Sequence, residues 1–157
     1  MNDWVAFLTL CSALGSGLMA GVFFAFSTFV MHALARRPFA EGIKAMQEIN
    51  RTVLNPWFLS VFFGTAGGCL VLVGMALWEW PGPGGVYMTV GGVLYLAGTF
   101  LVTAVFNVPM NDALEELDPA GPDAASTWRT YVETWTAWNH VRSVAALMGA
   151  ALLVLAL

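Results

Sequence analysis

Between Trp4 and Leu34 the chain runs for 31 residues without a charged side chain. A helix crosses roughly 30 Å of hydrocarbon in about 20 residues, so this stretch is long enough to span a bilayer with tilt to spare. Two further uncharged stretches follow, Pro56 to Leu77 and Val86 to Phe106. A fourth, SVAALMGAALLVLAL from Ser143, holds only 15 residues and must reach back to about Trp135 to span. Backbone polar groups in lipid must be satisfied within the segment itself, so each stretch is predicted to be a helix. The expected fold is all-α: a single membrane domain over 1–157, with spans near 4–34, 56–78, 86–109 and 135–157. Hydrophobic residues at 59% and charged residues at 10% agree, since soluble domains carry about 25% charged residues. The start lacks a basic region and its apolar run is too long for a secretory signal, so it is expected to be a span.

Charge placement predicts orientation. Arg36, Arg37, Lys44 and Arg51 lie between the first and second spans, and Arg129 and Arg142 between the third and fourth or at the start of the fourth. Basic loops stay in the cytoplasm, which puts both long loops inside and both termini outside, in what is expected to be a bacterial inner membrane. The first loop is itself amphipathic. Glu41, Lys44, Glu48 and Arg51 recur at helical spacing, with Ile43, Met46, Ile49, Asn50 and Val53 on other sides, so a helix lying at the interface is expected. An acidic chain of net charge −4 has no electrostatic footprint for nucleic acid. Cys11 and Cys69 lie inside spans and read as small core residues.

Small residues punctuate the spans. Gly17 and Gly21, and Gly64 and Gly68, form GxxxG pairs, and Ser143, Ala146 and Gly149 line the fourth span. These predict close helix packing within the chain, with homo-oligomerisation as the alternative use.

The polar residues of the spans gather at one end. His32 closes the first span, Asn55 opens the second, Asn107 and Asn111 close the third, and Asn139, His140 and Arg142 open the fourth; the amphipathic helix delivers Asn50. At 3.6 residues per turn Trp135, Trp138, Asn139 and Arg142 share one arc of the fourth helix. Ionisable groups at that depth face a bundle interior or a water-filled cavity, which predicts a pocket at the cytoplasmic mouth. Each residue also has an ordinary explanation. The tryptophans can form an interfacial belt, Arg142 can snorkel to headgroups, Asn55 and Asn139 can cap helices, and His140 can be a structural donor.

Four motifs then carry a resemblance. Met46-Gln47-Glu48-Ile49-Asn50, Asn55-Pro56-Trp57-Phe58, Asn107-Val108-Pro109-Met110-Asn111 and Trp135-Thr136-Ala137-Trp138-Asn139-His140-Val141-Arg142 resemble the successive motifs of the DUF1772, or anthrone oxygenase-like, membrane family. His32 departs from it, standing where the family tends to carry proline after Val30-Met31. The resemblance implies oxidation of an aromatic polyketide anthrone by dioxygen. In that chemistry His140 is the candidate base and Arg142 the stabiliser of the developing anion. Trp135 and Trp138 would stack on a flat substrate, and Asn50, Asn55, Asn107, Asn111 and Asn139 would orient it. No cofactor is favoured. A haem or copper protein using His32 and His140 with Met31 or Met46 is the rival oxygenase, and a non-enzymatic membrane-complex subunit or lipid-binding carrier the rival class. Asn55-Pro56 and Asn139-His140 also suggest a loose internal duplication.

Overall fold

The computed structural model describes residues 2–79 and 82–157. Helix α1 covers Asp3–Ala35, α2 Phe39–Thr52, α3 Pro56–Glu79, α4 Pro83–Glu115 and α5 Ala124–Leu155. All but α2 are long and apolar enough to cross a membrane, and the protein is an all-helical membrane bundle. Trp78 is exposed at the end of α3.

The packing order is a ring. α1 lies against α3 and α5, and α4 against α3 and α5, as an up-and-down bundle with short connections gives. Glycines set the closest approaches. Gly91 and Gly149 face each other across α4 and α5, where a Cβ on either would stand 3.0 Å from the carbonyl oxygen of the other. Gly68 abuts Ser12, so the second GxxxG pair serves an intrachain contact at one of its members. Gly21 and Gly64 meet nothing across from them. Helix association in lipid depends on such backbone approach and on interhelical hydrogen bonds. Ser16 Oγ donates to Ala146 O at 2.8 Å and Tyr95 Oη to Phe62 O at 3.1 Å.

Two findings depart from a straight-helix expectation. α1 widens to a π-helical turn over Phe26–Val30, and α4 over Leu94–Leu101 and Thr103–Asn107. In α4 the widened turn leads into Pro109, which lacks an N–H and crowds the turn before it. α5 starts at Ala124, about three turns before Trp135. Its first turns carry Trp128 and Tyr131, which stack with rings 5.7 Å apart.

Those turns give α2 something to pack on. Its Ile43 and Met46 join Met31, Leu114, Trp128, Tyr131 and Trp135 in one apolar cluster. Gly42 admits the indole of Trp128, which would stand 2.9 Å from a Cβ there. The buried amide of Gln47 donates to Leu114 O at 2.9 Å and Leu117 O at 3.0 Å, satisfying carbonyls at the end of α4. Arg51 pairs with Glu115 on the same helix end, and that hydrogen bond and charge hold its guanidinium above its ordinary pKa. α2 is thus fastened across one end of the bundle.

Candidate functional site

Under α2 lies a cavity with about 110 Å³ of water-accessible space, walled by residues from all the helices. α1 supplies Phe23 and Phe26, α2 Met46 and Asn50, α3 Phe58, α4 Thr103 and Asn111, and α5 Trp135 and Arg142. The walls are mostly apolar and aromatic with a few convergent polar groups, the usual constitution of a small-molecule site.

Arg142 is the centre of this cavity. It is 4% exposed, so its long side chain does not reach out to headgroups. Its Nη2 donates to Asn139 Oδ1 at 2.6 Å and its Nη1 to Thr103 Oγ1 at 3.2 Å. The guanidinium carbon stands 4.3 Å from the ring centre of Phe23 and 5.1 Å from that of Trp135, both within cation–π range. Nε has no partner. Among the described residues, the ion pairs within 4.0 Å involve Arg37 and Arg51, and no carboxylate reaches Arg142.

Asn139 holds this arginine and ties it to α1. Fully buried, it donates through Nδ2 to Phe23 O and Ser27 Oγ, both at 2.6 Å, where α1 begins its widened turn. π-helical turns expose backbone carbonyls to such partners and recur at functional sites. On the facing helix, Thr99 Oγ1 donates to Arg142 O at 3.3 Å, and Thr103 Oγ1 to Thr99 O at 2.7 Å. Asn111 Oδ1 accepts from Tyr131 Oη at 2.9 Å and from Trp135 Nε1 at 2.8 Å, which fixes the indole as one wall. Asn50 extends from α2 with its Nδ2 buried and unpartnered.

Other residues expected at the site sit elsewhere. Asn55 caps α3, its Oδ1 accepting from Phe58 N at 3.1 Å and its Nδ2 donating to Thr52 O at 3.0 Å. Since Asn55 opens a helix and Asn139 lies in mid-helix, the two do not occupy corresponding positions of a repeat. Asn107 is buried beside the cavity, its Nδ2 3.4 Å from Trp135 O and its Oδ1 unpartnered. Trp138 turns away and stacks on Phe106 with ring centres 3.6 Å apart. His140 is exposed on the far flank of α5, in a separate groove with Gly17, Gly21, Phe24 and Thr28. His140 and Arg142 are two positions apart, which turns them about 200° from one another on a helix, so they cannot share a pocket. His32 is also exposed; its Nδ1 lies 2.8 Å from Thr28 O, which only accepts, so that nitrogen carries the proton. Among the described residues no three His, Cys, Asp or Glu side chains gather as a metal site.

Sequence reasoning passed over Thr103, Phe23 and Ser27. Thr103 left one faint signal, a hydroxyl one turn before Asn107 in an otherwise apolar run. The family model described as anthrone oxygenase matches residues 57–152, which include α3 from its second residue, α4 and the part of α5 that carries Trp135, Asn139 and Arg142. No curated protein and no solved structure matches the chain.

Proposed function

The chain belongs to the anthrone oxygenase family, and on that footing we propose that it is a membrane oxygenase acting on an anthrone-type aromatic substrate in the cavity beneath α2. The observation that carries this reading is the buried Arg142, which lacks a carboxylate partner and stands among Phe23, Phe26 and Trp135. The reaction converts a methylene between two rings to a ketone: the carbon loses both hydrogens and gains one oxygen atom of O2, and the other leaves as water. Its first step removes a proton to give an enolate, the electron-rich species that can pass an electron to O2. A fixed cation in a low-dielectric pocket lowers the cost of that anion. Asn50 and Asn111 flank the ring system, and Trp135 offers a stacking face. The enclosed space takes one ring, with the others lying toward exposed Leu54 and the bilayer.

Because His140 opens on another groove, this reading assigns the proton to water at the cavity mouth and the anion to Arg142. With both long loops in the cytoplasm, as the basic residues suggest, that mouth lies at the inner leaflet. Oxygen uptake by the purified protein with an anthrone tests the whole. Turnover should fall at least about 100-fold in Arg142→Gln, as loss of an electrostatic stabiliser does elsewhere, and stay within a few-fold in His140→Ala. Full turnover in a folded Arg142→Gln variant, or none in His140→Ala, would overturn the assignment.

A further inference from the structure

We propose that the cavity is a monoanion site, which takes its ligand with one oxygen already ionised, as a phenolate, enolate or carboxylate, whether or not oxygen is present. The inference rests on the cavity being the ligand site, but not on oxidation. A guanidinium does not give up its proton in a protein, so Arg142 keeps its charge. A buried charge without a counterion is among the costliest arrangements in a membrane, and its default explanation is a functional one. What Arg142 does have are a hydroxyl, an amide oxygen and two aromatic faces, none of which carries a negative charge.

The unmet hydrogen bonds point the same way. Two buried donors without a hydrogen-bond partner belong to residues that line this cavity, Arg142 Nε and Asn50 Nδ2, the latter close to the Tyr131 hydroxyl; the unpartnered acceptor Asn107 Oδ1 lies beside the cavity, outside its lining. The two donors come from different walls, one from α5 and one from α2. Of the cavity's side-chain acceptors, Asn111 Oδ1 is already taken by Tyr131 and Trp135 and Thr103 Oγ1 by Arg142, which leaves the amide oxygen of Asn50. No Asp, Glu or His lines the cavity among the described residues. A cation would be repelled, and a polyol would find few acceptors for its several hydroxyls. A dianion such as a phosphate monoester would bring two charges to one guanidinium. One ionised oxygen head on an apolar body matches both the donors and the aromatic walls. Asn50 becomes a specificity residue for that head, present only because α2 is docked through Gln47 and Arg51.

The probe is 4-nitrophenol, whose absorbance reports its own ionisation, with neutral 4-nitroanisole and anionic 4-nitrobenzoate as competitors. Protein in detergent is titrated anaerobically at about one pH unit below the probe's solution pKa, where roughly a tenth of the free probe is ionised. The expected bound spectrum is that of the phenolate, since an opposite charge at contact lowers an acid's pKa by about 1–3 units. Nitroanisole should bind at least about tenfold more weakly than nitrophenolate, and nitrobenzoate should displace it. Asn50→Leu should weaken the anion several-fold and leave nitroanisole unchanged. A bound probe that stays neutral, nitroanisole binding as tightly as the phenolate, failure of nitrobenzoate to displace it, or no loss in Asn50→Leu would each overturn the proposal. Wild-type protein and the probe pair suffice if Arg142→Gln does not fold. Anion binding without oxygen uptake would sink the oxidation and keep the anion site; turnover without anion preference would do the reverse.

Discussion

Replacing Asn139 by alanine removes the hub that joins α1, α5 and the buried arginine. Three hydrogen bonds of 2.6 Å disappear, from Nδ2 to Phe23 O and Ser27 Oγ and from Arg142 Nη2 to Oδ1. The first two join neutral groups between helices, worth about 0.6 kcal/mol each in a bilayer, where unfolded helices also find partners. The third involves a charged donor and is worth about 1.5–3 kcal/mol. Together they give a destabilisation of about 3–4 kcal/mol, larger than any one interhelical contact in this bundle should yield. Reversible unfolding in mixed micelles of increasing dodecyl sulfate content, followed by tryptophan fluorescence, measures it. Ser27→Ala is the internal control, since it removes one of the Nδ2 bonds, leaves the arginine untouched, and should cost under about 1 kcal/mol. If Asn139→Ala costs no more than Ser27→Ala, Arg142 has found another partner and the account of Asn139 as its anchor is wrong.

Asn139→Asp places a carboxylate against Arg142, so a ligand anion about 6 Å away meets about 3 kcal/mol of repulsion at an effective dielectric near 20. Nitrophenolate affinity should fall roughly 100-fold with nitroanisole unaffected; equal loss of both would mean the pocket had collapsed. Gly91→Leu should separate α4 from α5 and cost about 1–3 kcal/mol in the same unfolding assay, whereas Gly64→Leu, which faces open space, should be near neutral. Trp135→Phe keeps a ring beside Arg142 but frees one donor's share of Asn111 Oδ1, so it should be milder in oxygen uptake than Trp135→Ala. A periplasmic reporter fused at the C-terminus should be active outside the cytoplasm; cytoplasmic activity would invert the bundle relative to the charge rule.

The spans, the amphipathic loop helix and the family motifs were legible in the sequence because each depends on local composition and on an order of residues along the chain. Charge-free runs of spanning length leave the backbone one solution in lipid, and that holds wherever the helices later pack. The inward turn of Trp135, Asn139 and Arg142 was legible too, since burying a charge forces its face to the interior. Rotation and depth were decided by packing. A helical arc of about 100° has two edges, and the sequence does not say which edge meets a neighbour, so Trp138 went to Phe106 and His140 to the opposite groove. Asn55 and Asn139 look alike as residues that open a hydrophobic run. One became a cap and the other a buried hub because α5 starts at Ala124 rather than near Trp135. Period counting also fails across the widened turns of α1 and α4, which shift every later side chain around its axis and bring Ser27 to Asn139 and Thr103 to the arginine. Those turns, and the seating of α2 by Gln47, exist only once the helices meet, and they are what encloses a cavity around Arg142 and leaves its charge unpaired.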